Sequence, residues 1–96
     1  MSIPDLSILF SSIQAIPYCI VKYREGMNYG VGDDIDIFCF DVILLMDTVK
    51  SAMKDYYGEG RDITISRINL SHYQLDFNEN NTLLLRLDLY GDLPVY

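Results

Sequence analysis

The fold of this chain is decided at residues 30–41, which read GVGDDIDIFCFD. The three glycines between residues 25 and 33 predict a loop, because glycine interrupts regular structure. Residues 34–40 then predict a strand, since β-branched and aromatic side chains are typical of strands. Alternate strand residues point to the same face, so Asp34 and Asp36 share one face while the isoleucines point into the core. The stretch therefore predicts a loop that leads directly into a strand with two carboxylates on one side.

The segments on both sides of this strand predict an α+β fold. Apolar residues at helical spacing predict an N-terminal helix that is capped by Ser2 and ends at Ile16-Pro17, and a second helix at 41–57 with Asp41 as its cap. The other strands are predicted at 17–24, 62–70, 73–78 and 82–90, with a hairpin turn at 79–81. The order is α-β-β-α-β-β-β, and the hairpin-length links favour a mixed or antiparallel sheet with two helices packed on it. For 96 residues we expect a single domain, 1–96.

Composition and charge argue against several classes of partner. The net charge of −7 disfavours binding to a nucleic-acid backbone or an anionic membrane, because both depend on Lys and Arg. No apolar run reaches the ~18 residues of a membrane span, and the N-terminus shows no basic signal-peptide region. Cys19 and Cys39 lack metal-site spacing and are expected to be reduced core thiols in a cytoplasmic protein. The single histidine, His72, is expected in a turn.

A third carboxylate, Asp88, completes a candidate metal site. It lies on the polar face of the leucine-rich last strand, where an ionised carboxylate would be costly unless a metal or an arginine compensates it. Asp34, Asp36 and Asp88 offer hard oxygen ligands of the kind that suits Mg²⁺. Two alternatives remain open at this stage. One is an ion pair of Asp88 with Arg86, which shares its face, and the other is Asp76 as the third acid.

A glycine-containing loop, a strand with Asp34 and Asp36, a helix and a later strand with a third Asp resemble the DNA polymerase beta-like nucleotidyltransferase superfamily. The likeness covers nearly the whole chain, and residues 20–36 look most like the compact bacterial members linked to surface-polysaccharide clusters. The resemblance implies that Asp34 and Asp36 hold two Mg²⁺ ions on a nucleoside triphosphate. It also implies that Asp88 helps to bind the catalytic metal and orients an attacking hydroxyl.

The resemblance further implies an activity, the transfer of an NMP from an NTP to a hydroxyl acceptor by a two-Mg²⁺ mechanism. Members of the superfamily normally hold phosphate with a Gly-Ser at the end of the first strand, and this chain has no Gly-Ser at residues 22–26. Lys22 and Arg24, which project from one face of the strand, and Gly32 in the loop are therefore the expected phosphate contacts. The acceptor stays open between a sugar phosphate, a small molecule and a protein side chain.

Two other interpretations of the same residues stay open. The missing Gly-Ser is also typical of a catalytically inactive nucleotidyltransferase-fold module that binds a partner in a complex. In either case an apolar sheet edge or face would let the short chain pair as a homodimer or with a partner subunit. An unrelated α+β sandwich with a chance Asp-x-Asp pair would have no reason to bring Asp34, Asp36 and Asp88 together.

Overall fold

A mixed sheet of five strands forms the centre of the molecule. The computed structural model describes residues 3–17, 19–22 and 28–91. Its elements are α1 (Leu6–Gln14), β1 (Cys19–Lys22), β2 (Asp33–Cys39), α2 (Val42–Ala52), a 3-10 turn (Lys54–Tyr56), β3 (Arg61–Asn69), β4 (His72–Glu79) and β5 (Thr82–Tyr90). The strands lie in the order β1-β2-β5-β4-β3; β2 and β5 are parallel and every other neighbouring pair is antiparallel. The α+β class, with two helices and a mixed sheet, is confirmed.

An aspartate side chain caps the N-terminus of each of the two helices. The prediction that Ser2 caps the first helix is wrong, and Ser2 itself lies outside the described residues. The cap is Asp5, whose Oδ1 accepts a hydrogen bond from the backbone N–H of Ser7 at 2.9 Å. The cap of α2 is Asp41, as predicted, with its Oδ1 at 3.0 Å from the backbone N of Leu44. Each carboxylate satisfies a donor that the first turn of a helix leaves without a partner.

The two faces of the sheet differ because only one is covered. Buried residues of α1 and α2 form one core cluster with the side chains that alternate along the inner face of β2, β4 and β5. On β2 these are Ile35, Ile37 and Cys39, and on β5 they include Leu85, Leu87 and Leu89. The alternation therefore leaves Asp34 and Asp36 of β2 and Asp88 of β5 on the opposite face, which neither helix covers. Among the described residues, no helix is long and apolar enough to cross a membrane.

A shift in pairing near the start of β5 changes one expected orientation. The alternation predicted Leu83 in the core and Leu84 on the polar face. The structure instead buries Leu84 to 1% exposure and leaves Leu83 half-buried. The cause is a register shift, since Phe77 on β4 pairs with Leu85 but the next residue, Asn78, pairs with Leu83. Leu84 falls at this irregularity and turns inward.

The turn between β4 and β5 is confirmed at the predicted place. Asn80 and Asn81 have φ angles of 49° and 63°, the left-handed conformation that a two-residue hairpin of the I′ type requires. Asparagine tolerates this region better than most residues. The second helix is shorter than the predicted 41–57, because α2 ends at Ala52 and a separate 3-10 turn follows.

Candidate metal centre

Three aspartates meet on the uncovered face of the sheet. Asp34 and Asp36 lie two residues apart on β2, and Asp88 lies directly opposite Asp36 on the parallel strand β5. Each offers a carboxylate oxygen, and these oxygens all lie within 4.8 Å of one another. Asp34 is exposed, Asp36 is half-buried and Asp88 is only 7% exposed. The site is therefore open to solvent on the side of Asp34 and closed around Asp88.

The electrostatics of the trio favour a bound cation. Burial raises the pKa of Asp36, and the charges of Asp88 and Asp34 raise it further, while Lys22 and His72 act in the opposite direction. Like charges this close disfavour the ionised form unless a positive charge compensates them. Carboxylate oxygens are hard ligands that suit Mg²⁺, which keeps several coordination positions for water and phosphate. The three carboxylates could therefore hold a metal ion.

Asp88 is held by two side chains of the neighbouring strand β4. His72 Nε2 lies 2.9 Å from Asp88 Oδ1, and Gln74 Nε2 donates to the same oxygen at 3.1 Å. The predicted alternative, an ion pair of Asp88 with Arg86, is wrong. The Arg86 guanidinium instead makes a two-point contact with Asp76, at 2.8 Å from Nε to Oδ1 and 3.0 Å from Nη2 to Oδ2.

The contact between Arg86 and Asp76 also tests the alternative in which Asp76, not Asp88, is the third carboxylate of the site. Asp76 points to the same face as Asp88, but both of its oxygens bind the guanidinium. Among the described residues, the cluster of carboxylates close enough to share a metal ion consists of Asp34, Asp36 and Asp88. Asp76 is not part of this cluster. Asp88 is thus the third acid that the geometry supports.

The three expected phosphate contacts have different outcomes. Lys22 is exposed at the end of β1, opposite Asp36, so its ammonium group lies at the rim of the site. Gly32 has a left-handed φ of 86°, and its N–H donates to the carbonyl of Leu84 at 2.8 Å. That amide is committed to the backbone and does not face a ligand. Arg24 lies outside the described residues.

His72 and its neighbours are the contribution that sequence reasoning missed. His72 was expected in a turn, but it is the first residue of β4 and pairs with Tyr90. Its ring stacks on Tyr90 at a centroid distance of 4.4 Å, and Tyr90 stacks on Phe38 of β2 at 4.9 Å. The sequence did contain a sign of this position. Because alternate strand residues point to the same face, a strand that began at His72 would place His72 and Gln74 on one face.

The two cysteines lie on the face of the sheet that packs against the helices, opposite the face that carries the three aspartates. Cys19 and Cys39 lie opposite each other on β1 and β2, and both are free thiols. Burial and a hydrogen bond with Cys39 raise the pKa of Cys19 to about 12. A thiol with so high a pKa is a poor nucleophile or metal ligand at neutral pH. Cys39 belongs to the core cluster and Cys19 packs against it, as predicted for core thiols.

Comparisons with protein-family models, with curated proteins and with solved structures found no match for this chain. The functional argument therefore rests on the chemistry and geometry of the trio.

Proposed function

We propose that this protein is a Mg²⁺-dependent nucleotidyltransferase that transfers an NMP from an NTP to a hydroxyl acceptor. The observation that carries the proposal is the convergence of Asp34, Asp36 and Asp88, with ligand oxygens within 4.8 Å, on a sheet face that no described helix covers. Two acids at alternate positions of one strand, with a third acid on a neighbouring strand, also form the pattern on which the sequence resembles the nucleotidyltransferase superfamily.

Each residue has a distinct task in this proposal. Asp34 and Asp36 would hold the metal ions that neutralise the triphosphate, and Asp88 would be the third metal ligand and would orient the attacking hydroxyl. Bound Mg²⁺ supplies charge neutralisation for the attacking and leaving oxygens of the in-line displacement. Lys22, at the rim beside Asp36, contributes a positive charge for the phosphates. The protein then acts mainly through positioning and electrostatics, as is general for phosphoryl transfer.

The net charge bears on the acceptor. A chain with a net charge of −7 repels a polyanion, so we infer a small hydroxyl compound or a protein side chain rather than a nucleic-acid end. The two metal ions bring their own positive charge to the site, so a nucleoside triphosphate can bind in spite of the acidic surface.

Nucleotide binding and transfer can be measured separately. Isothermal titration with each of the four NTPs in Mg²⁺ should show binding by the wild type and at least tenfold weaker binding by Asp36→Asn. Asp47→Asn, an exposed residue of α2, is the control with the same charge change. Incubation with α-labelled NTPs and fractionated cell extract should then label an acceptor with the wild type only. Equal NTP affinity in wild type and Asp36→Asn would contradict the proposal.

A non-catalytic binding module of the same fold is the second candidate. It is favoured by Gly32, whose amide is paired with Leu84 and is not free to hold phosphate. The labelling experiment separates the candidates, because a module of this kind would yield no labelled product in any fraction and would still retain a partner in pull-downs.

A further inference from the structure

We propose that His72 and Gln74 are positioning residues that restrict Asp88 to a single metal-binding oxygen, Oδ2. This inference rests on the proposed function, because it concerns how the third acid of that site is presented. It assigns a role to two β4 residues for which the activity alone gives no reason.

Both donors act on the same oxygen. His72 Nε2 lies 2.9 Å from Asp88 Oδ1, and Gln74 Nε2 lies 3.1 Å from it. When Asp88 is ionised, its carboxylate only accepts hydrogen bonds, and the ring nitrogen that faces it, His72 Nε2, then acts as the donor. Within residues 3–17, 19–22 and 28–91, no hydrogen bond to the other oxygen, Oδ2, is found. Oδ1 is thus occupied, and Oδ2 is the oxygen left for a metal.

The histidine ring is itself held in place. It stacks on Tyr90 with an interplanar angle of 19°, and Tyr90 stacks on Phe38 with an angle of 17°. His72, Tyr90 and Phe38 occupy paired positions on the neighbouring strands β4, β5 and β2. On the same face of the sheet, the next pair along β2 and β5 is Asp36 and Asp88. The side chain of His72 is largely buried, with 18% of it exposed. The stack fixes where Nε2 points, and Nε2 in turn fixes the carboxylate.

This arrangement limits Asp88 to one-point coordination. A carboxylate with both oxygens free can bind a cation through either oxygen or through both, whereas one with Oδ1 hydrogen-bonded to two donors offers only Oδ2. Groups that orient a metal ligand in this manner typically contribute 10–100-fold to metal affinity. The hydrogen bonds from His72 and Gln74 to Oδ1 therefore leave Oδ2 of Asp88 directed at the metal.

Mn²⁺ affinity, measured by the free-ion signal in electron paramagnetic resonance at one fixed pH, tests the proposal. We expect His72→Ala to bind Mn²⁺ about tenfold or more weakly than the wild type. His72→Gln should recover most of that loss, because a glutamine Nε2 can occupy the position of the histidine Nε2. Ser66→Ala, one strand further along the same row, is the control and should bind as the wild type does.

Asp88→Asn provides a second, independent variant. Its amide oxygen can keep the hydrogen bonds from His72 and Gln74, which turns the NH₂ group toward the metal. We therefore expect no Mn²⁺ binding at this ligand and a melting temperature in EDTA that is not below that of the wild type.

The outcomes separate the two proposals. If the wild type does not bind Mn²⁺, the proposed function fails. If the wild type binds but His72→Ala binds equally well, or His72→Gln is as weak as His72→Ala, the positioning role is overturned and the site itself stands. Wild-type Mn²⁺ affinity in Asp88→Asn would overturn the assignment of Oδ2. If His72→Ala does not fold, Gln74→Met replaces it, with the same expected loss and the same overturning result.

Discussion

Asp36 is the residue at which burial and like charge act together. Burial raises its pKa first, and Asp88 and Asp34 raise it further. The native carboxyl group therefore holds its proton more tightly than the unfolded chain does. The free energy of unfolding falls as pH rises from about 3.9, the ordinary carboxyl pKa, to the raised value. Without metal, Asp36 is thus a destabilising group once it is ionised.

The first prediction concerns Asp36→Asn. In EDTA at pH 7 the variant should be more stable than the wild type by about 0.5 kcal/mol, because like charges at paired strand positions are unfavourable by this order. That gain corresponds to a melting temperature about 2–4 °C higher. Calorimetry between pH 4 and 7 should also show a smaller fall of stability with pH in the variant. A variant less stable than the wild type at pH 7 in EDTA would contradict the account.

Arg86 lies between two acids, and only one of them holds it. Its strand neighbours are Asp34 on β2 and Asp76 on β4, and the guanidinium binds Asp76. Asp76 therefore keeps a positive charge away from Asp34, a candidate metal ligand.

The second prediction follows from this placement. Asp76→Ala should weaken Mn²⁺ binding several-fold, since the freed guanidinium of Arg86 can turn to Asp34 and compete with the cation. Asp76→Ala combined with Arg86→Leu should restore the affinity. The opposite result, in which the single variant binds Mn²⁺ as tightly as the wild type, would show that Arg86 does not reach the site.

At the scale of helices and strands, local patterns were sufficient for most of the fold. The alternation around Ile35 and Ile37 predicted β2 to within a residue at each end, and the leucine-rich stretch 82–90 predicted β5 as it is found. Asp41 was predicted correctly as a cap, because its side chain acts on the residues that directly follow it. These features depend on neighbours along the chain, which a single sequence displays.

Features that depend on pairing between distant segments could not be predicted in the same way. The contact between Asp36 and Asp88 requires the parallel register of β2 and β5, and the sequence resemblance, not the residue pattern, suggested it. His72 was placed in a turn because the predicted two-residue turn, at 71–72, lies one residue later than the observed turn at 70–71. Leu84 was placed on the polar face because a β-bulge reverses the alternation without a local sign.

The third prediction concerns the β4–β5 turn. Asn81 has a φ of 63°, so Asn81→Ala should cost about 1 kcal/mol, the order of penalty for a left-handed alanine. Asn81→Gly should be neutral or stabilising, since glycine adopts this conformation without strain. Thermal melts of the three proteins would measure the difference, with Mn²⁺ affinity as the control that should not change. Equal stability of the alanine and glycine variants would contradict the I′ turn.

At the scale of the whole molecule, the net charge of −7 and the uncovered acidic face both favour the binding of a cation. A small domain has little stability in reserve, and a cation that binds only the folded state adds to it by mass action. Metal binding should therefore be visible in the stability of the entire domain.

The fourth prediction is a melting temperature that depends on Mg²⁺. A tenfold excess of free Mg²⁺ over its dissociation constant adds about 1.4 kcal/mol, which raises the melting temperature of a domain of this size by about 6–11 °C. Melts at constant ionic strength should show the rise for the wild type and for Asp47→Asn, and only a small part of it for Asp36→Asn. The same rise in all three proteins would indicate general charge screening in place of a site.

The most direct measurement is a crystal of the full chain soaked in Mn²⁺ and a non-hydrolysable NTP, with an anomalous difference map. We predict a peak coordinated by Asp34, Asp36 and Oδ2 of Asp88, with Oδ1 of Asp88 still bound to His72. A map with nucleotide or metal bound elsewhere, and no peak among these three carboxylates, would contradict the account.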